Sequence, residues 1–445
     1  MVDMKLNNKR TILVGLAFLS ICAFWQMYDS VIPLMLTKTF HINETLSGTV
    51  MAADNVFALV LLPFFGSLSD RTDTRLGKRT PYILGGTFGA VLLINSLPFL
   101  DNGYYKAPST GKLFTFIIVL GLILIAMGTY RSPAVALMPD VTPKPLRSKA
   151  NAIINLMGAL GGIIYLAVAA VMYPNSRIAG LDHVDYGPLF ITVSFIMTVS
   201  VIVMFVTIRE KELTLKNQEL ENRHPEWNLA MQDSSGEEVL PGDVKRSLAF
   251  LLVSIALWFI GYNGITTWFT TYIDKVMGQG LGGASTCLLI ASGGAIVSYI
   301  PIGSLSSRIG RKRTILIGVA ILAGCFLAGF FLTTLSSTLN AAMFVVFAFT
   351  GFAWAAINVN SLPMVVEMCK GSDIGKFTGY YYTASMAAQV ATPIIAGFLM
   401  RNVDYRILFP YATVFVVASF VTMLRVRHGD NEVDVKKGID VFEEM

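Results

Sequence analysis

The sequence predicts an all-α membrane protein whose twelve transmembrane helices form two pseudo-symmetric six-helix bundles. Three observations support this prediction. The chain of 445 residues is 54% hydrophobic and only 14% charged, whereas soluble domains carry about 25% charged residues. Twelve separate apolar segments reach the roughly 20 residues that a membrane-spanning helix needs. A charged loop in the first half of the chain has a counterpart at the equivalent place in the second half.

The twelve apolar segments are predicted to be helices because lipid offers no partners for the backbone groups of loops or open sheets. The first segment is too long for a cleavable signal peptide, and it continues through Asp29 and Pro33 without a small-residue cleavage site. We call the segments spans 1 to 12. Their predicted ranges are 11–38, 46–69, 80–100, 112–139, 148–173, 187–208, 247–274, 283–305, 314–334, 338–366, 374–399 and 405–425.

The distribution of basic residues predicts the orientation of the spans. With the N-terminus placed inside, Arg131 falls within the membrane, and only seven of the 34 Lys and Arg residues fall outside: Lys38, Lys106, Lys112, Arg177, Lys275, Arg401 and Arg406. Cytoplasmic loops carry an excess of Lys and Arg, so we expect both termini in the cytoplasm and the chain in the cell membrane. The net charge of +5 therefore reflects topology, and we expect the lipid bilayer, rather than a nucleic acid, as its partner.

The longest polar interruption divides the spans into two sets of six. Residues 209–246 contain the polar stretch SSGEEVLPGD and predict a cytoplasmic linker that begins with a short surface helix. We therefore expect an N-terminal bundle at 1–208, a C-terminal bundle at 247–427 and a cytoplasmic tail at 428–445. The repeated loop respects this division, because GSLSDRTDTRLGKRT (66–80) and GSLSSRIGRKRT (303–314) each join the second and third spans of their half. Parallel repeats of this kind are typical of secondary transporters.

The loop after span 2 resembles a known family signature. Its key positions match the signature loop of the major facilitator superfamily: Gly66, Leu68, Asp70, Arg71, Gly77, Lys78 and Arg79. The longer stretch SDRTDTRLGKRTPYIL resembles the loop of the glycoside–pentoside–hexuronide cation symporters and of the related sucrose-type proton symporters. The stretch YRSPAVALMPDVT (130–142) is also similar to those carriers. Sodium-coupled sugar members hold two aspartates where this chain has Ala58 and Leu62, so we do not expect a full sodium site of that type.

The resemblance implies a cytoplasmic gate at this loop. Asp70 ends span 2, and the N-terminus of span 11 opens on the same predicted face, where a helix N-terminus stabilises a nearby carboxylate. We expect the arginines of the loop to bridge Asp70, Asp73 and Asp140. The gate candidates are Gly66, Asp70, Arg71, Arg75, Gly77, Arg79, Asp140 and Glu367. In the alternative interpretation, the bases only fix the topology and the acids only balance their charge.

Three charged side chains lie well inside the predicted spans. A charge at the bilayer centre costs at least ~2.5–3.5 kcal/mol, so such a residue usually faces a cavity or a partner. Asp29, Asp54 and Arg131 are therefore the candidates for ion coupling. Either carboxylate could carry a co-transported proton, and Arg131 could switch its protonation or bind substrate hydroxyls. The alternative is a static Asp–Arg pair that holds the spans together.

Polar and aromatic residues recur at helical spacing on spans that, by the resemblance, line a central cavity. Sugars need polar partners for their hydroxyls and flat aromatic faces for their C–H groups, although each such residue alone can also be ordinary helix packing. The substrate-binding candidates are Gln26 on span 1, Asn151 and Asn155 on span 5, Trp258, Tyr262 and Asn263 on span 7, Trp354 and Asn358 on span 10, and Tyr382 and Gln389 on span 11.

These features predict a secondary active transporter that takes up a sugar with protons by alternating access, the sugar being a disaccharide or glycoside such as sucrose or maltose. Two alternatives stay open: an efflux or organic-solute carrier of the same superfamily, and a transport-dead nutrient sensor. The sequence shows no nucleotide-binding loop, nucleophile elbow or His-based metal site, so we expect no enzyme activity, no cofactor and no metal. The four cysteines lack paired spacing and predict packing rather than disulfides. We expect a monomer.

Overall fold

A computed structural model describes residues 6–143, 146–223, 241–368 and 374–430. These residues are almost entirely helical, and the only extended pairing among them is an isolated bridge between Thr74 and Gly77. Twelve helical segments of the described chain are long and apolar enough to cross a membrane, which confirms the predicted all-α class and the number and order of the spans. The predicted linker and tail lie partly outside the described residues, so the predicted domain boundaries stay predictions.

The helices begin and end within a few residues of the predicted ranges. Spans 1 to 6 are Asn8–Leu34 with a π-helical turn at Met35–Thr39, Glu44–Asp70, Thr80–Ile94 continued by Ser96–Lys106, Thr110–Asp140, Arg147–Met172 and Gly187–Thr207. Spans 7 to 12 are Gly242–Met277, Gly280–Ile309, Arg311–Leu335, Ala341–Val366, Ile374–Asn402, and Leu408–Leu424 with a 3₁₀ turn at Tyr405–Ile407. A short helix lies at Asn175–Ile178, and the helix Glu210–Arg223, here called the linker helix, follows span 6.

Local sequence signals account for several helix ends. The Asn7 side chain accepts a hydrogen bond from the Arg10 backbone N–H at 3.0 Å where span 1 begins. In the same way, the Asn340 side chain accepts a hydrogen bond from the Met343 backbone N–H where span 10 begins. Such side chains satisfy backbone donors that have no partner inside the helix. Span 7 ends at Gly278, whose left-handed conformation is typical of a glycine that terminates a helix.

The described chain groups into two compact units. The first unit contains spans 1, 3, 4, 5 and 6, span 2 from Ala53 onward, and the linker helix. The second unit contains spans 7 to 12 together with residues 43–52 and 173–179. Each unit has its own helix contacts and its own site residues, which are described separately below.

In the first unit, close contacts place spans 4 and 5 against span 1. A Cβ atom added at Gly161 of span 5 would lie 2.0 Å from the Leu19 carbonyl oxygen, so only glycine permits this approach to span 1. On span 4, the Tyr130 hydroxyl donates to the Ala17 carbonyl at 2.8 Å and lies 2.5 Å from the Ser20 hydroxyl. These bonds fix the backbone that carries the next residue, Arg131, beside span 1.

In the second unit, an aromatic core joins span 7 to spans 10, 11 and 12. Phe269 lies 4.9 Å from Phe347, measured between ring centroids, and Tyr272 lies 5.1 Å from Phe409. The buried Trp268 indole donates to the Pro393 carbonyl of span 11 at 3.1 Å. Buried aromatic side chains of this size supply a large share of the packing in a core, so the polar face of span 7 is held on a rigid support.

Candidate functional site

The three coupling candidates lie together in the first unit. Asp29 comes from span 1, Asp54 from span 2 and Arg131 from span 4. Asp54 is within electrostatic range of both Arg131 and Asp29, so one carboxylate feels an attractive and a repulsive neighbour at once. Within the described part of the chain, Arg131 forms no ion pair with either carboxylate. Asp54 therefore lies near both of the other two residues, and it forms no direct salt bridge with Arg131.

The surroundings of Asp54 are mostly apolar. Its Oδ1 atom accepts hydrogen bonds from the Asn55 backbone N–H at 2.6 Å and from the Asn55 side-chain amide at 2.7 Å. A cavity of about 10 Å³ adjoins the carboxylate and is lined by Trp25, Asp54, Phe57, Ala58, Leu61, Leu62, Leu124, Gly128 and Arg131. This volume is near the space that one water molecule occupies. Asp54 and Arg131 thus share a small cavity with apolar walls.

Trp25 and Tyr28, which were not among the predicted site residues, also belong to this region. The guanidinium carbon of Arg131 lies 5.6 Å from the centre of the Trp25 ring. The indole N–H of Trp25 and the hydroxyl of Tyr28 are buried without a hydrogen-bond partner among the described residues. Their spacing could have revealed them, because Trp25 precedes Asp29 by one helical turn and Tyr28 is next to it in the sequence.

Gln26, Asn151 and Asn155 lie on the other polar positions of the first unit. Gln26 is half-buried, and a Cβ atom added at Gly162 of span 5 would lie 3.7 Å from its Oε1 atom. Asn151 and Asn155 are exposed on the surface of the first unit, one helical turn apart on span 5. The Gln26 amide therefore lies beside the helix that carries the two asparagines, and a side chain at Gly162 would only make an ordinary contact with it.

The second unit holds the aromatic candidates. The rings of Tyr262 and Trp354 stack face to face, with centroids 3.6 Å apart and an angle of 3° between their planes. Phe259 meets Trp354 edge-on at 5.4 Å and 89°. The facing sides of Tyr262 and Trp354 cover each other, so no ligand can be clamped between them and each ring keeps only its outer face. We call this stack the joint platform.

The remaining candidates of the second unit differ in exposure. Trp258 is fully buried, and its indole N–H has no partner among the described residues. The Asn263 amide nitrogen is likewise buried and without a partner there. Asn358 and Tyr382 are exposed, and the half-buried Gln389 donates to the Ser385 carbonyl at 3.3 Å. Asn263 and Tyr382 therefore retain free hydrogen-bonding or ring surface, the exposed Asn358 side chain also hydrogen-bonds with the Tyr299 hydroxyl, and Trp258 is built into the core.

At the end of the first unit predicted to be cytoplasmic, Arg79 connects spans 2, 3 and 4. Its guanidinium pairs with Asp70 and with the Asp140 carboxylate at 2.8 Å, and it donates to the Ser69 hydroxyl at 2.5 Å. The Arg79 residue is only 5% exposed, so these charge-assisted bonds replace the hydration that it loses. We call Arg79, Asp70, Asp140 and Glu210 the first clasp.

Glu210, which was not among the predicted site residues, completes the first clasp from the start of the linker helix. Its carboxylate is buried and accepts hydrogen bonds from the backbone N–H groups of Lys78 at 2.6 Å, Arg79 at 2.8 Å and Thr80 at 2.7 Å. These donors lie at the N-terminus of span 3, where helical N–H groups lack partners. Gly77 has a φ of 115°, and a Cβ atom there would lie 2.3 Å from the Glu210 carboxyl carbon. The motif glycine therefore makes room for this carboxylate.

The second unit has a matching arrangement, here called the second clasp. Arg311 at the start of span 9 pairs with Glu367 at the end of span 10, as Arg79 pairs with Asp140. The Asp430 carboxylate accepts a hydrogen bond from the Arg311 N–H at 2.6 Å. Gly310 has a φ of 91°, and a Cβ atom there would lie 2.9 Å from Asp430 Oδ2. In both units, a carboxylate that follows the last span therefore sits against a glycine in the repeated loop.

The other gate candidates have smaller or untested roles. Arg71 and Arg75 are exposed and form no ion pair among the described residues, and Asp73 pairs with Lys211 at 2.9 Å. The hydrogen bond from Lys211 lowers the pKa of the Asp73 carboxyl. A Cβ atom added at Gly66 would lie 2.9 Å from the Ser132 hydroxyl of span 4. The expected contact of Asp70 with the start of span 11 stays a prediction.

The described residues contain no cluster of three or more His, Cys, Asp or Glu side chains that could hold a metal ion. Cys22, Cys287 and Cys325 are free thiols, and Cys369 lies outside the described residues. The candidate residues for coupling and substrate binding in the described spans offer two carboxylates, the Arg131 guanidinium, amides and aromatic rings.

Comparison with known proteins identifies relatives of this chain. Residues 14–327 and 280–440 match the profile of the Major Facilitator Superfamily. A stretch of 145 residues is 30% identical to the sucrose transport protein SUC3 of Arabidopsis thaliana and covers 30% of this chain. The matched stretch spans only 24% of that relative, so the alignment reaches about a quarter of its length.

Solved structures share the overall fold at low sequence identity. The structure of a bacterial homologue of the iron transporter ferroportin, in an inward-facing state, matches with a TM-score of 0.67 at 11% identity, covering 95% of this chain and 99% of that one. A D-xylose–proton symporter matches with a TM-score of 0.66 at 16% identity, covering 95% and 98%. Transporters with different cargo fit equally well, so the fold alone does not select a substrate.

Proposed function

The chain belongs to the Major Facilitator Superfamily, a family of membrane transporters rather than enzymes, and from this premise we propose that it takes up a sugar together with protons. The proposed substrate is a disaccharide or glycoside such as sucrose or maltose. The proposed location is the cell membrane, with both termini in the cytoplasm and the chain acting as a monomer. Transport would proceed by alternating access, in which the two six-helix halves rock about the substrate site.

The observation that carries the proposal is the group formed by Asp54, Asp29 and Arg131. Asp54 is repelled by Asp29 and attracted by Arg131, and it lies beside a cavity with mostly apolar walls. A proton that binds Asp54 removes one negative charge, ends the repulsion with Asp29 and weakens the attraction to Arg131. Asn55 already donates to Oδ1 of Asp54, so Oδ2 is the oxygen that would take the proton.

The same surroundings favour a proton over a metal cation. A hard cation such as Na⁺ or Mg²⁺ needs several oxygen ligands. Beside Asp54, the cavity offers the apolar side chains of Ala58, Leu61 and Leu62. A proton needs only the carboxylate itself and a route for water, and a cavity of about 10 Å³ is the size of one water molecule.

Two observations support a sugar as the substrate. The relative in Arabidopsis is named for sucrose transport, and this chain resembles it over part of its length. In the second unit, the joint platform of Tyr262 and Trp354 offers a flat surface for the C–H face of a sugar ring, and Asn263 and Asn358 offer amide groups for its hydroxyls. In the first unit, Gln26, Asn151 and Asn155 are the amide candidates for sugar hydroxyls.

Uptake by the purified full chain in proteoliposomes tests the proposal. A panel of radiolabelled sugars that includes sucrose, maltose and simple glycosides is offered first with an inward proton gradient and then with an inward sodium gradient. We expect one or more of these sugars to accumulate inside the vesicles under the proton gradient. The accumulated sugar should leave the vesicles when an ionophore collapses the proton gradient. Absence of uptake for every sugar contradicts the sugar assignment, and accumulation driven by sodium alone contradicts proton coupling. Efflux of unrelated organic solutes would favour the alternative of an organic-solute carrier.

A further inference from the structure

Trp25 forms a contact with Arg131 that the proposed coupling reaction does not itself require. The guanidinium carbon lies 5.6 Å from the centre of the indole ring, inside the range of about 6 Å over which a cation and an aromatic face attract each other. Both side chains are half-buried. In a membrane span, a guanidinium is expected to find a partner, and here the partner in contact is an aromatic ring rather than a carboxylate.

The indole of Trp25 is itself held in place. Phe24 meets it edge-on with ring centroids 5.1 Å apart at 78°, and Tyr28 meets it at 5.4 Å and 79°. A ring that is supported by two neighbours on its own helix cannot turn away without disturbing them. The face that Trp25 offers to Arg131 is therefore a fixed feature of span 1.

Arg131 has a second partner within reach. Trp25, Asp54 and Arg131 all line the same cavity of about 10 Å³, and Arg131 attracts Asp54 electrostatically without forming an ion pair with it. The Arg131 guanidinium thus has an indole face beside it and a carboxylate across a cavity of the size of one water molecule. A flexible side chain can move between two such partners without rearrangement of the helices.

We propose that Trp25 is the positioning residue that holds Arg131 away from Asp54 while Asp54 carries its proton. When Asp54 loses the proton, the opposite charge draws the guanidinium from the indole to the carboxylate. When Asp54 takes up a proton, that attraction ends and the guanidinium returns to the indole. This inference rests on the proposed function, because it assigns the proton to Asp54, and it adds a means by which protonation moves a side chain of span 4.

Other titratable groups face this region and must be separated from Asp54 in any test. On span 1 they are Cys22, Tyr28 and Asp29, which interact electrostatically with Arg131 or Asp54. On span 4, Tyr130 adjoins Arg131, but its hydroxyl is bonded to Ser20 and Ala17. Asp29 is the residue most able to imitate Asp54, so Asp29→Asn is the matched control for Asp54→Asn.

The first arm of the test needs no substrate. Tryptophan fluorescence of the purified full chain is titrated between pH 4 and pH 9, and the same titration of Trp25→Phe is subtracted to leave the Trp25 signal. We expect this difference signal to show one transition, because the charged guanidinium leaves the indole when Asp54 ionises. The transition should be lost in Asp54→Asn, for which the double variant Asp54→Asn with Trp25→Phe is the subtracted reference. The transition should persist in Asp29→Asn. A flat difference signal, or a transition that survives in Asp54→Asn, overturns the proposal.

The second arm measures the pH dependence of transport. Without the indole, Arg131 stays with Asp54 and favours its ionised form, so Trp25→Leu should move the pH of half-maximal coupled uptake downward by about one unit. Trp25→Tyr keeps an aromatic face and should restore the wild-type midpoint. An unchanged midpoint in Trp25→Leu overturns the proposal. If no sugar is transported at all, the proposed function fails while the fluorescence arm still decides the role of Trp25.

Discussion

The two halves of the chain differ in what they place inside the membrane. Spans 1, 2 and 4 carry Asp29, Asp54 and Arg131 far from the helix ends, whereas every Asp, Glu, Lys and Arg of spans 7 to 12 lies within four residues of a span end. The second half instead carries the stacked rings of Tyr262 and Trp354. Charged groups inside a membrane are costly and are usually kept for a function, so this difference supports the proposal that ion coupling belongs to the first half.

The clasps show a second difference between the halves. Both have an arginine paired with an acid at the end of the fourth span of that half, and both have a carboxylate seated against the loop glycine. Only the first clasp adds Asp70, and Ser307, at the corresponding place in the repeat, bonds to its own helix at Ser304. The shared parts stabilise the loop in each half, while Asp70 gives the first half a charge that can act in a gate.

The largest effect is expected from the intramembrane carboxylate of the first half. Asp54→Asn removes the proposed proton carrier, so the steady-state accumulation of sugar under a proton gradient should fall to the equilibrium ratio of about 1, while sugar exchange continues. Asp243→Asn, which changes an exposed carboxylate of the second half, should leave accumulation unchanged. Accumulation by Asp54→Asn at the wild-type level would mean that Asp54 has only a structural role. It would also contradict the assignment of ion coupling to the first half.

The second prediction concerns the aromatic platform of the second half. Tyr262→Ala removes one ring of the stack and should weaken sugar binding roughly tenfold, which corresponds to about 1.4 kcal/mol. Tyr262→Phe keeps the ring and should bind within about twofold of the wild type. Equilibrium binding of labelled sugar is measured for both variants. The pH dependence of their sugar affinity should be the same as that of the wild type. A shifted pH dependence in Tyr262→Ala would mean that coupling is not confined to the first half.

The third prediction compares the arginines of the two clasps. Arg79→Met leaves Asp70 and Asp140 without their buried partner and should lower stability by about 2–3 kcal/mol. Arg311→Met removes a single ion pair whose side chains are about a quarter exposed, and it should cost about 1 kcal/mol. Thermal unfolding of the purified variants in the same detergent ranks the two. Equal losses, or a larger loss for Arg311→Met, would contradict the difference between the clasps.

The smallest effect is expected at the exposed edge of the first clasp. Lys211→Met removes the partner of Asp73, and because both groups are solvated the midpoint of thermal unfolding at pH 7 should not change measurably. Lys211 lowers the pKa of Asp73, so any stabilisation from the pair is present above the ordinary pKa of an aspartate and is lost as the pH falls through the lowered value. A clear loss of stability at pH 7 would show that the clasp extends beyond its buried members.

Hydrophobic length predicted the twelve spans and their order, because a bilayer leaves few alternatives to an apolar helix of about 20 residues. The pairing of Arg79 with Asp140 was also predicted, since both ends lie on one face of the same bundle. Glu210 was missed because its partners lie 130 residues away in the chain. Aligning the repeat does not identify the pairing arginine of the second half. Matching the letters KRT aligns Arg79 with Arg313, and matching the glycines with positive φ aligns it with Lys312, whereas Arg311 is the residue that pairs with Glu367.

The site residues were predicted in part. Spacing along span 1 led to Gln26 and Asp29 but passed over Trp25, because a tryptophan in a transmembrane helix is ordinarily read as packing. Spacing on span 7 predicted both Tyr262 and Trp258 as substrate-binding residues. In the structure, Tyr262 stacks on Trp354 and Trp258 is buried in the core. Sequence spacing shows which side chains share a helix face, but it does not show which neighbouring helix covers them.

The most direct test of proton coupling in the first half is the movement of protons with the sugar. A pH electrode follows a weakly buffered suspension of proteoliposomes when a transported sugar is added without any imposed gradient. We predict that the medium becomes more alkaline with the wild type and with Tyr262→Phe, and that it does not change with Asp54→Asn, although this variant still exchanges labelled sugar. Sugar entry without alkalinisation in the wild type, or equal alkalinisation with Asp54→Asn, would contradict the account.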